Sequence, residues 1–132
     1  MLIAIDGPAA SGKSTIAREV AKKLNYKFIS TGAMYRAITY RVLKDKIDAY
    51  NEEAPAKIAK KYAVSFQKTK DHPEEERVFI DNEDVTEYLF TPEVDSAVSL
   101  VARNPQVRKE LVRQQRRISS QGNMVMEGRD IG

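Results

Sequence analysis

The hydrophobic positions of the first thirty residues switch between short continuous runs and helical spacing. The run "LIAID" (residues 2–6) stops at Gly7-Pro8, which predicts a buried strand, and "YKFIS" (residues 26–30) predicts a second one. Strand, helix and strand within about 30 residues predict a βαβ unit, whose two strands lie in a parallel sheet. The apolar positions of the intervening helix, which we expect to end near Asn25, are Ile16, Ala17, Val20, Ala21 and Leu24.

The middle of the chain has a different pattern. A second helix is expected after Gly32, and a short helix passes through Ile58 and Ala59. The segments "YAVSFQ" and "RVFID" alternate between apolar and polar residues and are separated by the charged loop "KTKDHPEEE". This alternation predicts a small antiparallel hairpin inserted into the parallel fold. The predicted buried face of the second helix consists of Met34, Ala37, Ile38 and Val42.

Two further helices and one strand complete the pattern. Each helix begins with a polar residue followed by proline, Thr91-Pro92 and Asn104-Pro105, which is a typical helix start. The segment "NMVME" (residues 123–127) predicts a third buried parallel strand. The predicted buried positions are Val94, Ala97, Val98 and Val101 in the first helix and Val107, Leu111 and Ile118 in the second.

Composition excludes several classes of protein. The 132 residues fit one domain, and a net charge of +3 without a long basic stripe does not indicate a nucleic-acid-binding protein. The absence of cysteine excludes disulfides and thiolate metal sites, and the single His72, to which we assign no role, excludes a two-histidine site. No apolar run approaches the roughly 18 residues of a membrane span, and "MLIAID" is too short for a signal peptide. We therefore expect a soluble cytoplasmic protein.

The segment "AIDGPAASGKST" (residues 4–15) has the form of a phosphate-binding loop (P-loop). Gly7, Gly12, Lys13 and Ser14 match the pattern G-x-x-x-x-G-K-[ST]. Glycines allow backbone N–H groups to turn towards phosphate oxygens, and the following helix directs its positive end at the same anion. Lys13 would contact the outer phosphates and the Ser14 hydroxyl would bind Mg²⁺. The motif predicts a nucleoside triphosphate with Mg²⁺ but does not separate a kinase from a hydrolase or a switch.

A second candidate segment, "STGAMYR" (residues 30–36), follows the second strand at the edge where open α/β sheets bind ligands. Thr31 can hydrogen-bond a phosphate or a base, Tyr35 offers a ring and a hydroxyl, and Arg36 offers a bidentate phosphate clamp. The spacing alone leaves an alternative open, in which Thr31 only caps the helix and Tyr35 belongs to the core.

Five segments in their order along the chain resemble the bacterial-type cytidylate kinases (CMP/dCMP kinases), which are P-loop nucleoside monophosphate kinases. The segments are "IDGPAASGKST", "STGAMYRA", "AVSLVARNPQVRKEL", "QQRR" and "EGRDIG", and the resemblance covers essentially the whole chain. It implies an α/β fold with a P-loop NTPase-type parallel sheet flanked by helices. Residues 1–40 and 119–132 would form a partial P-loop core, and residues 41–118 a CMP-binding insert made of the antiparallel hairpin and helices.

The resemblance also implies an activity, namely transfer of the γ-phosphoryl group of ATP to CMP or dCMP, giving CDP or dCDP in pyrimidine nucleotide metabolism. The protein would be a monomer that uses ATP and Mg²⁺. The implied catalytic residues are Lys13, Arg129 and Asp130. The implied ATP-binding residues are Gly7, Pro8, Ala9, Ala10, Ser11, Gly12, Lys13, Ser14 and Thr15, with Ser14 also on Mg²⁺. The implied CMP-binding residues are Thr31, Tyr35, Arg36, Ser99, Arg108, Arg129 and Asp130.

The sequence departs from the family pattern in two places. Phe90 stands where these kinases usually have an arginine before the threonine that opens the fourth helix. Related kinases also continue past "GRDIG" with two more strands and an arginine-bearing lid, so we expect this chain to be the N-terminal part of a longer polypeptide. Two alternatives remain, a nucleotide-binding fragment with little catalysis and a P-loop kinase for another small acceptor. The residue pattern also leaves open whether Glu127 or Asp130 is the acid that follows the last strand.

Overall fold

The computed structural model describes residues 1–6 and 13–128 and confirms the predicted α/β architecture. A three-stranded parallel sheet carries helices on both faces, and a small antiparallel sheet lies beside it. The strands are β1 Leu2–Asp6, β2 Lys27–Ser30, β3 Val64–Gln67, β4 Arg77–Ile80, β5 Glu83–Asp84 and β6 Met124–Gly128. The helices are α1 Lys13–Leu24, α2 Thr31–Lys44, α3 Glu53–Lys61, α4 Pro92–Arg103 and α5 Pro105–Ser119, with a 3-10 turn at Thr86–Tyr88.

The last strand, β6, occupies the centre of the parallel sheet, between β1 and β2. Asp6 lies opposite Gly128 on one side of it, and Ser30 lies opposite Glu127 on the other. The three strands therefore end at the same level, and their carboxyl ends form one edge. All five residues of β6 are buried, as expected for a central strand covered on both faces.

The parallel sheet separates two hydrophobic clusters of unequal size. The smaller cluster lies under α1 and consists of Ala17, Ala21, Phe28 and Val125. The larger cluster lies on the opposite face and continues through α2, α3 and α5 into the antiparallel sheet. Its largest fully buried side chains include Ile29, Met34, Ile38, Ile80 and Leu111. Helices α2, α3 and α5 are thus anchored in the larger of the two clusters.

The predicted helix starts are confirmed for α4 and α5 and corrected for α2. Thr91 accepts a hydrogen bond from the backbone N–H of Val94, and Asn104 caps α5 in the same way. In α2, however, the capping residue is Ser30, whose hydroxyl accepts from the backbone N–H of Ala33 at 3.2 Å. Thr31 is the first helical residue, so the alternative in which it is merely a cap is wrong.

The antiparallel sheet confirms the predicted hairpin of β3 and β4 and adds a short third strand. The chain turns at Asp81, which has a positive φ of 51°, and β5 then pairs with the end of β4. The buried amide of Gln114 connects this sheet to α5 and α3. Its Oε1 accepts from the N–H of Val64 at 3.0 Å, while its Nε2 donates to the carbonyls of Ala59 and Tyr62.

Not all of the apolar positions of α1 lie in the core. Ile16 and Leu24 are 58% and 47% exposed, whereas Ala17 and Ala21 face the sheet as expected. In α4, Ala97 and Val98 are half-buried, and Val94 and Val101 are the buried residues. Within residues 1–6 and 13–128, no helix has the length and apolar character needed to cross a membrane.

Candidate functional site

The carboxyl edge of the parallel sheet brings together the segments that the sequence singled out. β1 ends at Asp6 and α1 begins at Lys13, so residues 7–12 connect the end of a strand to the start of a helix, as a P-loop does. β2 leads directly into "TGAMYR", and β6 leads into the segment that begins at residue 129. Several predicted site residues lie outside the described part of the chain: Gly7, Pro8, Ala9, Ala10, Ser11, Gly12, Arg129 and Asp130, together with the side chains of Lys13 and Ser14.

The start of α1 suits an anionic ligand. The first turn of this helix carries no acidic residue that would oppose an anion at its positive end. Thr15, in the same turn, is exposed. Backbone N–H groups at a helix start and a following serine hydroxyl are the groups that hold phosphates and their Mg²⁺ ion. The residues present therefore fit a magnesium–nucleotide, in agreement with the sequence motif.

Thr31 and Gly128 meet at the sheet edge. Thr31 is only 4% exposed, and its side chain lies against the end of β6. A Cβ placed on Gly128 would come within 1.8 Å of the Thr31 hydroxyl oxygen, so any other residue would force the two segments apart. The contact joins "STGAMYR" to "GRDIG", two segments that are almost one hundred positions apart in the sequence. Thr31 is thus a buried residue of this edge, immediately beside the segment that carries Arg129.

Glu127 is the acidic residue that the structure describes at the end of the central strand. It is 6% exposed and lies between Ile5 of β1 and Ser30 of β2 in the sheet register. The sequence pattern left Glu127 and Asp130 as alternatives for the acid that follows this strand. The structure places Glu127 at the edge, and Asp130 belongs to the residues that it does not describe.

Tyr35 and Arg108 form a contact between α2 and α5. Burial raises the pKa of the half-buried Tyr35 hydroxyl, and the positive charge of the nearby Arg108 opposes this rise. The hydroxyl is therefore protonated at neutral pH and available for hydrogen bonding. Arg108 itself is exposed, and a concavity of about 820 Å³ along α5 includes it in its lining. Tyr35, Arg36 and Ser99 do not line this concavity.

Arg36 is held against the start of α4. Its Nη1 donates to the carbonyl oxygen of Leu89 at 2.9 Å and to Oδ1 of Asp95 at 2.6 Å. Its guanidinium carbon lies 4.4 Å from the ring centroid of Phe90. The sequence pattern indicated Arg36 as a site residue and has an unusual Phe90, but nothing in it indicated that Asp95 is a hydrogen-bond partner of Arg36. The helical pattern of α4 shows which of its residues share a face but not which residue of α2 they meet.

Ser99 lies one helical turn after Asp95, on the same side of α4, and is exposed. The structure therefore gathers four of the predicted acceptor-site residues around α2: Tyr35 and Arg36 on the helix itself, Arg108 opposite, and Ser99 on the adjoining helix face. Tyr35 and Arg36 are four and five residues beyond Thr31, which is about 6 to 8 Å along the helix from the sheet edge. Two guanidinium groups and two hydroxyls at such a distance from the sheet edge can bind a small anionic molecule.

Comparison with known families gives a match over almost the whole chain. The model of the family described as cytidylate kinase matches residues 3–132. The match includes the P-loop segment, the antiparallel insert and the segment "EGRDIG" that follows β6.

Individual relatives carry the same description. The cytidylate kinases of Bacillus thuringiensis (strain Al Hakam), Bacillus cereus (strain AH187) and Bacillus anthracis (strain A0248) are each 50% identical to this chain over 130 residues. The aligned region covers 98% of this chain and 56% of each relative. The chain thus spans little more than half the length of the curated relatives it matches.

Proposed function

We propose, since the chain belongs to the cytidylate kinase family, that it takes part in phosphoryl transfer from ATP to CMP or dCMP, giving CDP or dCDP. The observation that supports this proposal best is the common edge of the parallel sheet. The strand register aligns Ile5, Glu127 and Ser30, and Asp6 pairs with Gly128 one residue further, so the P-loop segment, "GRD" and "TGAMYR" all follow strands that end at the same edge. A phosphate donor and a phosphate acceptor bound there would be neighbours.

On the donor side, ATP would lie along Gly7–Thr15. The backbone N–H groups of this segment and of the start of α1 would hold the phosphates, and Lys13 would neutralise the outer ones. Mg²⁺, held by the Ser14 hydroxyl and the phosphates, would supply further positive charge at the transferred group.

On the acceptor side, CMP would lie between α2, α4 and α5. Arg36, together with Arg129 and Asp130, would bind the phosphate and the sugar. Ser99 and Arg108 would contact the cytosine, and Thr31 and Tyr35 would complete the pocket. The support for this arrangement is the Tyr35–Arg108 contact and the placement of Arg36 beside the helix face that carries Ser99.

The reaction would need alignment and charge neutralisation more than proton transfer. An oxygen of the CMP phosphate attacks the γ-phosphorus in line, a new P–O bond forms, and the bond to the bridging oxygen of the β-phosphate breaks to release ADP. A phosphate monoester is already a nucleophile near neutral pH, so no strong general base is required. Lys13, Arg36 and Arg129 would balance the charge that develops.

The proposal extends to the organisation of the molecule. Residues 1–40 and 119–132 would act as the ATP-binding core, and residues 41–118 as the insert that closes over CMP and excludes water. We place the protein in the cytoplasm as a monomer.

The first test measures phosphoryl transfer from ATP–Mg²⁺ to CMP, dCMP, UMP, AMP and shikimate in parallel, with nucleotide products and free phosphate quantified separately. CDP or dCDP in clear excess supports the proposal. Binding of CMP without any transfer indicates the alternative, a nucleotide-binding fragment with little catalysis. Product from UMP, AMP or shikimate alone contradicts the cytidylate assignment.

A matched pair of variants on α5 tests the acceptor site. Arg108→Gln should raise KM for CMP about tenfold or more, because a charged hydrogen-bonding group of the site is lost. Arg117→Gln removes an exposed positive charge from the same helix, outside the concavity that Arg108 lines, and should leave KM within about twofold. Equal effects of the two substitutions would show that only the overall charge of the helix matters.

A further inference from the structure

Arg36 is restrained on two sides by groups that surround the start of α4. Two acceptors, the carbonyl of Leu89 and the carboxylate of Asp95, bind the same nitrogen, Nη1. The face of the guanidinium lies on the ring of Phe90 at 4.4 Å, within the range of a favourable cation–π contact. Two acceptors at one end and a ring beneath one face fix the direction of a side chain that otherwise has many rotamers.

Phe90 has no evident role in the core. Its side chain is 71% exposed, so its burial contributes little to the stability of the fold. The contact that the structure shows for its ring is the one with Arg36. An exposed aromatic residue whose ring supports an arginine beside a candidate anion site is more informative than a scattered surface residue.

The restraint leaves one edge of the guanidinium unengaged. Among the residues that the structure describes, none accepts a hydrogen bond from Nε or Nη2 of Arg36, and both observed bonds use Nη1. Nε–H and one Nη2–H point in parallel and match two oxygens of a phosphate group. The Arg36 side chain is 23% exposed, so this edge can be reached from solvent.

We propose that Phe90 and Asp95 are positioning residues that orient Arg36 so that its Nε–Nη2 edge binds the phosphate of the acceptor nucleotide. This inference rests on the proposed function. A guanidinium that is oriented before binding loses less conformational freedom when the phosphate binds. Phe90 and Asp95 therefore strengthen phosphate binding without contacting the phosphate. The effect should be specific for the phosphate, because cytidine lacks the group that Arg36 binds.

The variants of Phe90 test the ring contact. Phe90→Ala should weaken CMP binding about three- to fivefold, as expected for the loss of an exposed cation–π contact, while cytidine binding changes by less than twofold. Phe90→Tyr keeps a ring for the guanidinium and should restore the affinity for CMP. Tyr50→Ala, which removes an 83% exposed aromatic residue elsewhere, is the control and should leave both affinities unchanged.

The variants of Asp95 separate orientation from competition. If Asp95 orients Arg36, Asp95→Ala should weaken CMP binding several-fold, whereas Asp95→Asn retains an acceptor oxygen and should change it little. If the carboxylate instead competed with the phosphate for Arg36, both variants would bind CMP more tightly. Glu93→Ala removes a neighbouring exposed charge from the first turn of α4 and controls for the general electrostatic effect.

Calorimetric titration of CMP and cytidine is carried out with each of these variants and repeated in an Arg36→Gln background. The inference requires that Phe90→Ala and Asp95→Ala lose their effects when Arg36 is replaced by the uncharged glutamine, because both residues act through the guanidinium. It is overturned if they leave CMP binding unchanged, tighten it, or weaken CMP and cytidine equally. If the wild-type protein binds neither CMP nor dCMP, the proposed function and this inference are both overturned. If the wild-type protein binds CMP and the variants bind it equally well, only this inference is overturned.

Discussion

The two faces of the parallel sheet are packed to very different depths. Under α1, Ala17 and Ala21 contact Phe28 and Val125, and Ile16 and Leu24 of the same helix remain exposed. On the opposite face, a continuous cluster reaches from β2 through α2 and α5 to the antiparallel sheet. The proposed donor side therefore rests on a thin apolar layer and the proposed acceptor side on a thick one. Because stability follows buried apolar area, the acceptor side should be the more stable part of the described fold.

On the proposed acceptor side, polar side chains that are buried in the core have hydrogen-bond partners. Thr39 is fully buried, and its hydroxyl donates to the carbonyl of Tyr35 at 2.7 Å. The side-chain amide of Gln114, which is 1% exposed, both donates and accepts hydrogen bonds. Satisfied polar groups of this kind make a core specific, since any rearrangement would leave a buried donor or acceptor without a partner. This rigidity suits a surface that must hold two arginines and a tyrosine in fixed directions.

The largest effect is expected from Leu111→Ala, because Leu111 is fully buried in the larger cluster. The substitution should lower the free energy of unfolding by about 3 kcal/mol, through lost burial and the cavity that remains. Val112→Ala changes the next residue of the same helix, which is 37% exposed, and should cost less than about 1 kcal/mol. Urea denaturation of both variants provides the measurement. Similar losses for the two would contradict the assignment of the thick core to this face.

Gln114→Leu should lower the free energy of unfolding by about 2 kcal/mol, somewhat less than Leu111→Ala. The leucine fills the space but leaves the N–H of Val64 and the carbonyls of Ala59 and Tyr62 without the amide that binds them. The neighbouring Gln115 is half-buried, and Gln115→Leu should change stability by less than about 0.5 kcal/mol. Thermal unfolding followed by circular dichroism distinguishes the pair, and an unchanged Gln114→Leu variant would show that water replaces the amide.

The sequence predicted the features that depend on neighbouring residues. Continuous apolar runs revealed the parallel strands, and the prolines after Thr91 and Asn104 revealed the helix starts. It did not predict β5, because "ED" carries no apolar alternation and pairs only once β4 is in place. Nor did it indicate the buried Gln114, since helical spacing identifies a core face without saying that a polar residue on it meets three backbone groups.

The candidate site also combines features that the sequence predicts with contacts that only the folded chain shows. The P-loop and "TGAMYR" could be found from the sequence because their chemistry lies in consecutive residues. The contacts of Arg36 with Asp95 and Phe90, and the approach of Thr31 to Gly128, depend on how distant elements pack. The pattern of any single element does not contain that information, so these contacts appear only in the folded chain.

The pH dependence of stability tests whether the antiparallel sheet belongs to the same stable unit as the larger cluster. Burial alone would raise the pKa of Asp84, but hydrogen bonds from Thr86 and Arg77 outweigh it and lower the pKa below its ordinary value. A lowered pKa means that the carboxylate stabilises the fold above about pH 4, and that this contribution is lost as the pH falls through the folded-state pKa. Asp84→Asn should therefore cost about 1 kcal/mol or less at pH 7, because solvent screens this partly exposed group, and progressively less towards pH 3.

Urea denaturation of Asp84→Asn and wild type between pH 7 and pH 3 gives the comparison. Asp71→Asn, in the exposed loop before β4, is the control and should run parallel to the wild type at every pH. A constant difference between Asp84→Asn and wild type down to pH 3 would mean that the charge of Asp84 contributes nothing. A separate, earlier transition for the antiparallel sheet would show that it is not part of the larger unit.

The smallest effect is expected from Ile16→Gln on the thin side of the sheet, and the adjacent Ala17 of α1 provides the contrast. Ile16 is 58% exposed, so Ile16→Gln should change the free energy of unfolding by less than about 0.5 kcal/mol, although Ile16 belongs to the apolar positions at helical spacing. Ala17 is fully buried against the sheet, and Ala17→Gln should cost about 1 to 3 kcal/mol because the longer side chain has no space there. A large loss for Ile16→Gln would mean that the outer face of α1 is covered after all, and the contrast between the two sides would then disappear.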